Sequence, residues 1–96
     1  SIELYTNLMA LNGSDADYPG QRGRAFAEKK MYRQAIDDLS KAIDLNPREM
    51  KFRYERGQAY LKMGIPKEGL IDMQYAADRD YEKAYLYLFF RHTAGP

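Results

Sequence analysis

The chain has 96 residues, 15 basic and 14 acidic side chains, a formal net charge of +1 and no cysteine. That length makes one domain and excludes a disulfide scaffold or a zinc–thiolate site, and the charge balance gives no field for nucleic acid or an anionic membrane. No apolar run reaches the roughly 18 residues of a membrane span and no basic-then-apolar leader is present, so a cytoplasmic protein without membrane insertion is expected.

Residues 1–12 read as a helix: Leu4, Leu8 and Leu11 recur at helical spacing with Ile2, Tyr5 and Met9 beside them, and Asn12-Gly13 is expected to end it through a left-handed glycine. Asn12-Gly13-Ser14 also fits a glycosylation sequon, but the turn is the preferred reading. Ser14, Asp15 and Asp17 offer capping oxygens to a second helix over 17–30, with Pro19 in its first turn. A third helix over 33–45 buries Ala35, Ile36, Leu39, Ala42 and Ile43, and Asn46-Pro47 stops it. The fourth covers 48–63, with Phe52, Arg56, Ala59, Tyr60 and Met63 setting its spacing and Gly64 as its C-cap. Pro66 opens a fifth over 66–79, which turns Leu70, Met73, Ala76 and Ala77 inward. Asp80 is a candidate N-cap for a sixth over 81–92, and 93–96 form a frayed tail. No alternating pattern marks a strand, and the short connections make successive helices antiparallel neighbours.

The elements repeat. Gly57-Gln58-Ala59-Tyr60 echoes Gly23-Arg24-Ala25-Phe26 at an offset of 34 residues, and small residues follow at matching places, Ala35 and Ala42 in one copy and Gly69 and Ala76 in the other. Two helices approach closely only where side chains are small. Gly23 should therefore face Ala35 and Gly57 face Gly69. Phe26 and Tyr60 should fill the space beside them, buried, while Ala42 and Ala76 serve where one pair stacks on the next.

This pattern resembles the tetratricopeptide repeat family. The first copy, 16–49, matches that family's motif with Gly23, Phe26, Ala35, Leu39, Ala42 and Pro47. The second, 50–83, matches with Gly57, Tyr60, Gly69, Met73 and Ala76, but Tyr81 stands in place of the proline. Both copies lack the family's early tryptophan. The resemblance implies an all-α domain of about six helices, antiparallel helix-turn-helix repeats stacked as a short right-handed superhelical solenoid. Residues 1–13 then read as the second helix of a preceding half repeat, and 84–93 as the first helix of a following one or a capping helix.

Enzyme chemistry finds no support. The lone histidine, His92, sits beside the tail; Asp37 and Asp38 are adjacent and diverge on a helix; and no phosphate loop follows a strand. No catalytic group, cofactor or metal is expected. The expected function is protein–protein interaction, with a peptide or partner segment held in the concave groove that first helices line in such stacks. Its expected lining is Arg24, Ala27 and Glu28, then Lys51, Tyr54, Gln58, Leu61 and Lys62, then Tyr85, Leu88 and His92. A subclass of the family grips acidic chaperone tails through a two-carboxylate clamp. The positions of that clamp fall here on Gly20, Arg24, Glu55, Tyr85 and Phe89, of which only Arg24 has suitable charge, so no such clamp is expected. The second expectation is self-association through residues 81–92, in a symmetric contact. The last helix is apolar on every side, with Tyr85, Leu86, Phe89 and Phe90 left to form an exposed patch.

Overall fold

The computed structural model describes the backbone of residues 1–93 and the side chains through Arg91. Six helices follow one another among the described residues: α1 (Ile2–Leu11), α2 (Asp17–Glu28), α3 (Tyr32–Leu45), α4 (Met50–Lys62), α5 (Pro66–Asp78) and α6 (Glu82–Thr93), with no strand. Each packs on its neighbour in sequence, and the most extensive packing lies within α2–α3 and α4–α5. The result is a rod of 49 × 25 × 18 Å, an all-α repeat stack rather than a closed bundle.

The small residues bring the helices together as their spacing predicts. A Cβ added at Gly57 would stand 3.0 Å from the Gly69 carbonyl oxygen, and one at Gly69 would stand 2.9 Å from the Gly57 carbonyl. At Gly23 the corresponding atoms are Leu39 Cγ at 3.0 Å and the Ala35 carbonyl at 3.2 Å. Ala42 packs with Ala16, Leu39, Ile43 and Phe52, and Ala76 with Met50, Met73 and Ala84, each cluster joining one pair to the next helix. Phe26 and Tyr60 are only half-buried, contrary to expectation. The sequence also hid a third close approach: a Cβ at Gly20 would overlap the ring of Phe52, which lies in the gap that glycine leaves.

Three helix ends share one closure. Met31, Ile65 and Tyr81 donate N–H to the carbonyls of Phe26, Tyr60 and Ala76 at 2.9, 2.9 and 3.0 Å, with Lys30, Gly64 and Asp80 in between at φ of 64°, 80° and 66°. This is the Schellman closure, with the left-handed residue that it requires. Gly64 takes its predicted place. Asp80 does not cap α6; it ends α5, the role glycine plays at 64. Asn46 at the equivalent place before Pro47 is extended at φ −143°, so the exchange of proline for Tyr81 goes with a different turn. Gly13 is not left-handed either. Asn12 stands extended at φ −144°, and its Oδ1 accepts from the Ser14 amide and hydroxyl. No side chain caps α2, and Asp15 Oδ1 accepts from the Asp17 amide instead.

Candidate peptide-binding groove

The side chains that organise the stack are charged. Asp38 and Asp72 are buried, at 3% and 2% exposure. Arg22 grips Asp38 with two hydrogen bonds, Nε to Oδ2 at 2.6 Å and Nη2 to Oδ1 at 2.7 Å, and Arg56 grips Asp72 likewise at 2.7 and 2.9 Å. Each arginine also donates from Nη1 to a hydroxyl on the preceding second helix, Thr6 at 3.0 Å or Ser40 at 2.9 Å. Each guanidinium lies over the ring four residues on, Phe26 at 5.8 Å or Tyr60 at 5.9 Å. Every member recurs at the repeat offset. Hydrogen bonding to the aspartate holds both guanidiniums above their ordinary pKa, against the opposing pull of burial. These pairs were missed in the sequence, though Arg22/Arg56 and Asp38/Asp72 are identical between the two copies, and that identity was the available signal.

On the other side of α2 and α4, with α3 at its floor, lies a groove of about 460 Å³ lined by Arg24, Ala27, Glu28, Lys30, Tyr32, Leu39, Glu55, Gln58, Ala59 and Lys62. Ala27, Leu39 and Ala59 make the floor apolar. The rim carries Arg24, Lys30 and Lys62 against Glu28 and Glu55. Arg24 is not a free cation: its Nε donates to Glu55 Oε2 at 2.9 Å and its Nη2 bonds the same oxygen, tying α2 to α4. Glu55 Oε1 is buried with no hydrogen-bond partner among the described residues. Burial, aided by the Glu55 carboxylate, pushes the nearby Tyr81 phenol up. Gln58 Nε2 donates to Tyr54 Oη at 3.1 Å.

The structure brings Arg24, Glu28, Gln58 and Lys62 together, along with Ala27, and adds Lys30, Tyr32 and Glu55 from the helix turn and the facing surface. It does not gather the rest of the expected lining there. Leu61 turns toward α5, its Cγ 2.8 Å from where a Gly69 Cβ would lie. Lys51 Nζ sits over the Phe52 ring at 5.5 Å. Tyr54 packs against Tyr81, the rings 5.5 Å apart and tilted by 45°, and lines a separate depression with Lys83, Leu86, Tyr87 and Phe90. Tyr85 and Leu88 face a third depression, beside Gln74, Ala77 and Phe89. The side chain of His92 lies outside the described residues. Among the described residues no group of three His, Cys, Asp or Glu side chains is placed to hold a metal, and no helix is long and apolar enough to cross a membrane.

A family model for the TPR repeat matches residues 23–64. Serine/threonine-protein phosphatase 5 of Homo sapiens is 32% identical over 82 residues, covering 85% of this chain and 15% of the phosphatase. The translocon at the outer membrane of chloroplasts 64 of Pisum sativum is 34% identical over 76 residues, 79% of this chain and 13% of that protein. The chain thus spans a small part of the curated relatives it matches. The solved Arabidopsis OM64 TPR domain superposes with a TM-score of 0.83 at 29% identity, over 88% of this chain and 72% of that one. With the glycine-centred helix pairs, the 34-residue offset and these likenesses together, the chain belongs to the tetratricopeptide repeat family.

Proposed function

We propose that this chain is a non-enzymatic interaction module that holds a segment of a partner protein in the groove between α2 and α4. The observation that carries the reading is the groove itself: an apolar floor of Ala27, Leu39 and Ala59 between rims of mixed charge. Such a floor accepts a short apolar side chain, while Lys30 and Lys62 offer cations to an acidic neighbour. The segment is not an acidic tail gripped at its C-terminal carboxylate. Arg24 already spends its guanidinium on Glu55, and a lysine at Gly20 would have to displace the Phe52 ring. Titrating the labelled chain with peptides selected from a displayed random library should move the amide signals of Ala27, Gln58 and Lys62. Shifts confined to α5 and α6 would overturn the reading. A peptide ending in two acidic residues should bind no tighter than millimolar.

A second surface is favoured by one observation. On α6, Tyr85, Leu86, Phe89 and Phe90 are exposed at 59%, 40%, 43% and 62%, together forming a larger apolar face than a lone surface helix shows. Self-association through this face is the second reading.

A further inference from the structure

The arginine–aspartate pairs have a register that runs past both ends of the two complete helix pairs. In each complete pair the first helix supplies arginine and the second supplies the buried aspartate, Arg22 with Asp38 and Arg56 with Asp72. One 34-residue step forward from Arg56 reaches Phe90 on α6, and one step back from Asp38 reaches Leu4 on α1. Both positions have become apolar, and both side chains are exposed, at 62% and 52%. The neighbouring positions change in the same sense. Tyr87 stands at the place of Arg53 on α6, while Tyr5 and Leu8 stand at the places of Leu39 and Ala42 on α1. Leu39 and Ala42 are buried in the cluster that runs from Ala16 to Phe52, whereas Tyr5 and Leu8, on a helix that packs chiefly on α2, are half-buried.

We propose that a second copy of this chain covers these faces head to tail, α6 of one copy pairing with α1 of the next as α4 pairs with α5. This rests on the reading that α6 carries an interaction surface. The exchange on both sides of one interface argues for this partner. A helix that kept the repeat's arginine would bury an unpaired guanidinium against Leu4, and one that kept its aspartate would bury a carboxylate against Phe90, each disfavouring the contact. Leu4 fits a first helix that is apolar at this register position, and α6 is such a helix. Arg91 stands where Gly23 and Gly57 stand, so α6 and α1 sit further apart than the helices of the complete pairs, with the guanidinium reaching past the contact to solvent and the larger Tyr5 and Leu8 beside it. The contact is heterologous, so the assembly grows beyond a dimer instead of closing as a symmetric pair would.

The test is the mass of the 96-residue chain by sedimentation velocity from micromolar to hundreds of micromolar, with helicity followed by circular dichroism. The wild type should grow past dimer with concentration. Phe90→Arg and Leu4→Asp should each weaken assembly on the order of tenfold or more, by burying an unpaired charge, with helicity unchanged. An equal mixture of the two variants should assemble again, because every junction in an alternating stack is then either the native apolar pair or an arginine–aspartate pair of the kind found inside the repeats. A wild type that stays monomeric overturns both this inference and the α6 reading. Growth that Phe90→Arg abolishes but Leu4→Asp leaves untouched keeps the α6 reading and overturns the head-to-tail register, as does a mixture that fails to assemble.

Discussion

At the scale of single residues, three backbone positions and one close approach set the local limits of the fold. Lys30 holds φ 64° at the end of α2, where Gly64 holds φ 80° at the end of α4. A side chain in the left-handed region costs about 1 kcal/mol, and glycine relieves it. Lys30→Gly should therefore raise stability by about 1 kcal/mol in urea unfolding. Asp80→Gly should gain less, because aspartate tolerates this conformation better than lysine. Gly57 has the opposite sensitivity. The atom nearest its missing Cβ is a backbone carbonyl at 3.0 Å, which cannot rotate away, so Gly57→Ala should cost about 1–3 kcal/mol despite its gain in helix propensity. Tyr81 adds a pH dependence. Its raised folded pKa means that its neutral form contributes stability fully below the unfolded value of about 10, lost as pH rises through the folded one. Tyr81→Phe should flatten that alkaline loss, read as the midpoint of thermal unfolding against pH.

Between elements, the decisive contacts are the buried ion pairs. A paired buried carboxylate adds little net stability over an apolar pair, but removing one partner strands a charge, at about 3–5 kcal/mol. The two copies are not equivalent in this respect. Asp72 has a second cation, Arg53 Nη1 at 3.5 Å, while Arg22 is the one arginine in an ion pair with Asp38 among the described residues. Arg22→Met should thus cost about 3–5 kcal/mol and Arg56→Met visibly less. The double variant Arg22→Met/Asp38→Leu should recover most of the loss, measured as a coupling energy in a double-mutant cycle. These pairs also show where sequence reading stopped. Gly23, Gly57, Ala35 and Gly69 were legible because a missing side chain in mid-helix has few explanations other than a close neighbour. Arg22 and Asp38 were not, because a charged residue on a helix ordinarily faces water, and only their recurrence at the repeat offset marks them as partners.

Over the whole molecule, the proposed recognition surface lies one helical step from the residues that pack the stack. Gly57 points into α5, and Gln58, the next residue, points into the groove. The all-α repeat architecture follows from local spacing alone, since each pair contacts chiefly its neighbours, and so it was legible. The groove was legible in part. Arg24, Glu28, Gln58 and Lys62 follow from the helix face next to that of Gly23 and Gly57, but the lining from α6 does not, because its rings line other depressions. Glu55 was visible as an acid at a clamp position, yet its bond to Arg24 depends on how closely α2 and α4 lie. The separation of roles allows a direct test at adjacent residues, using peptides selected on the wild-type chain. Isothermal titration of those peptides should show that Gln58→Arg weakens binding about tenfold or more with an unchanged melting temperature, by filling the groove with a cation, while Gly57→Leu abolishes the fold and binding together. Unchanged affinity in a folded Gln58→Arg variant would contradict the account.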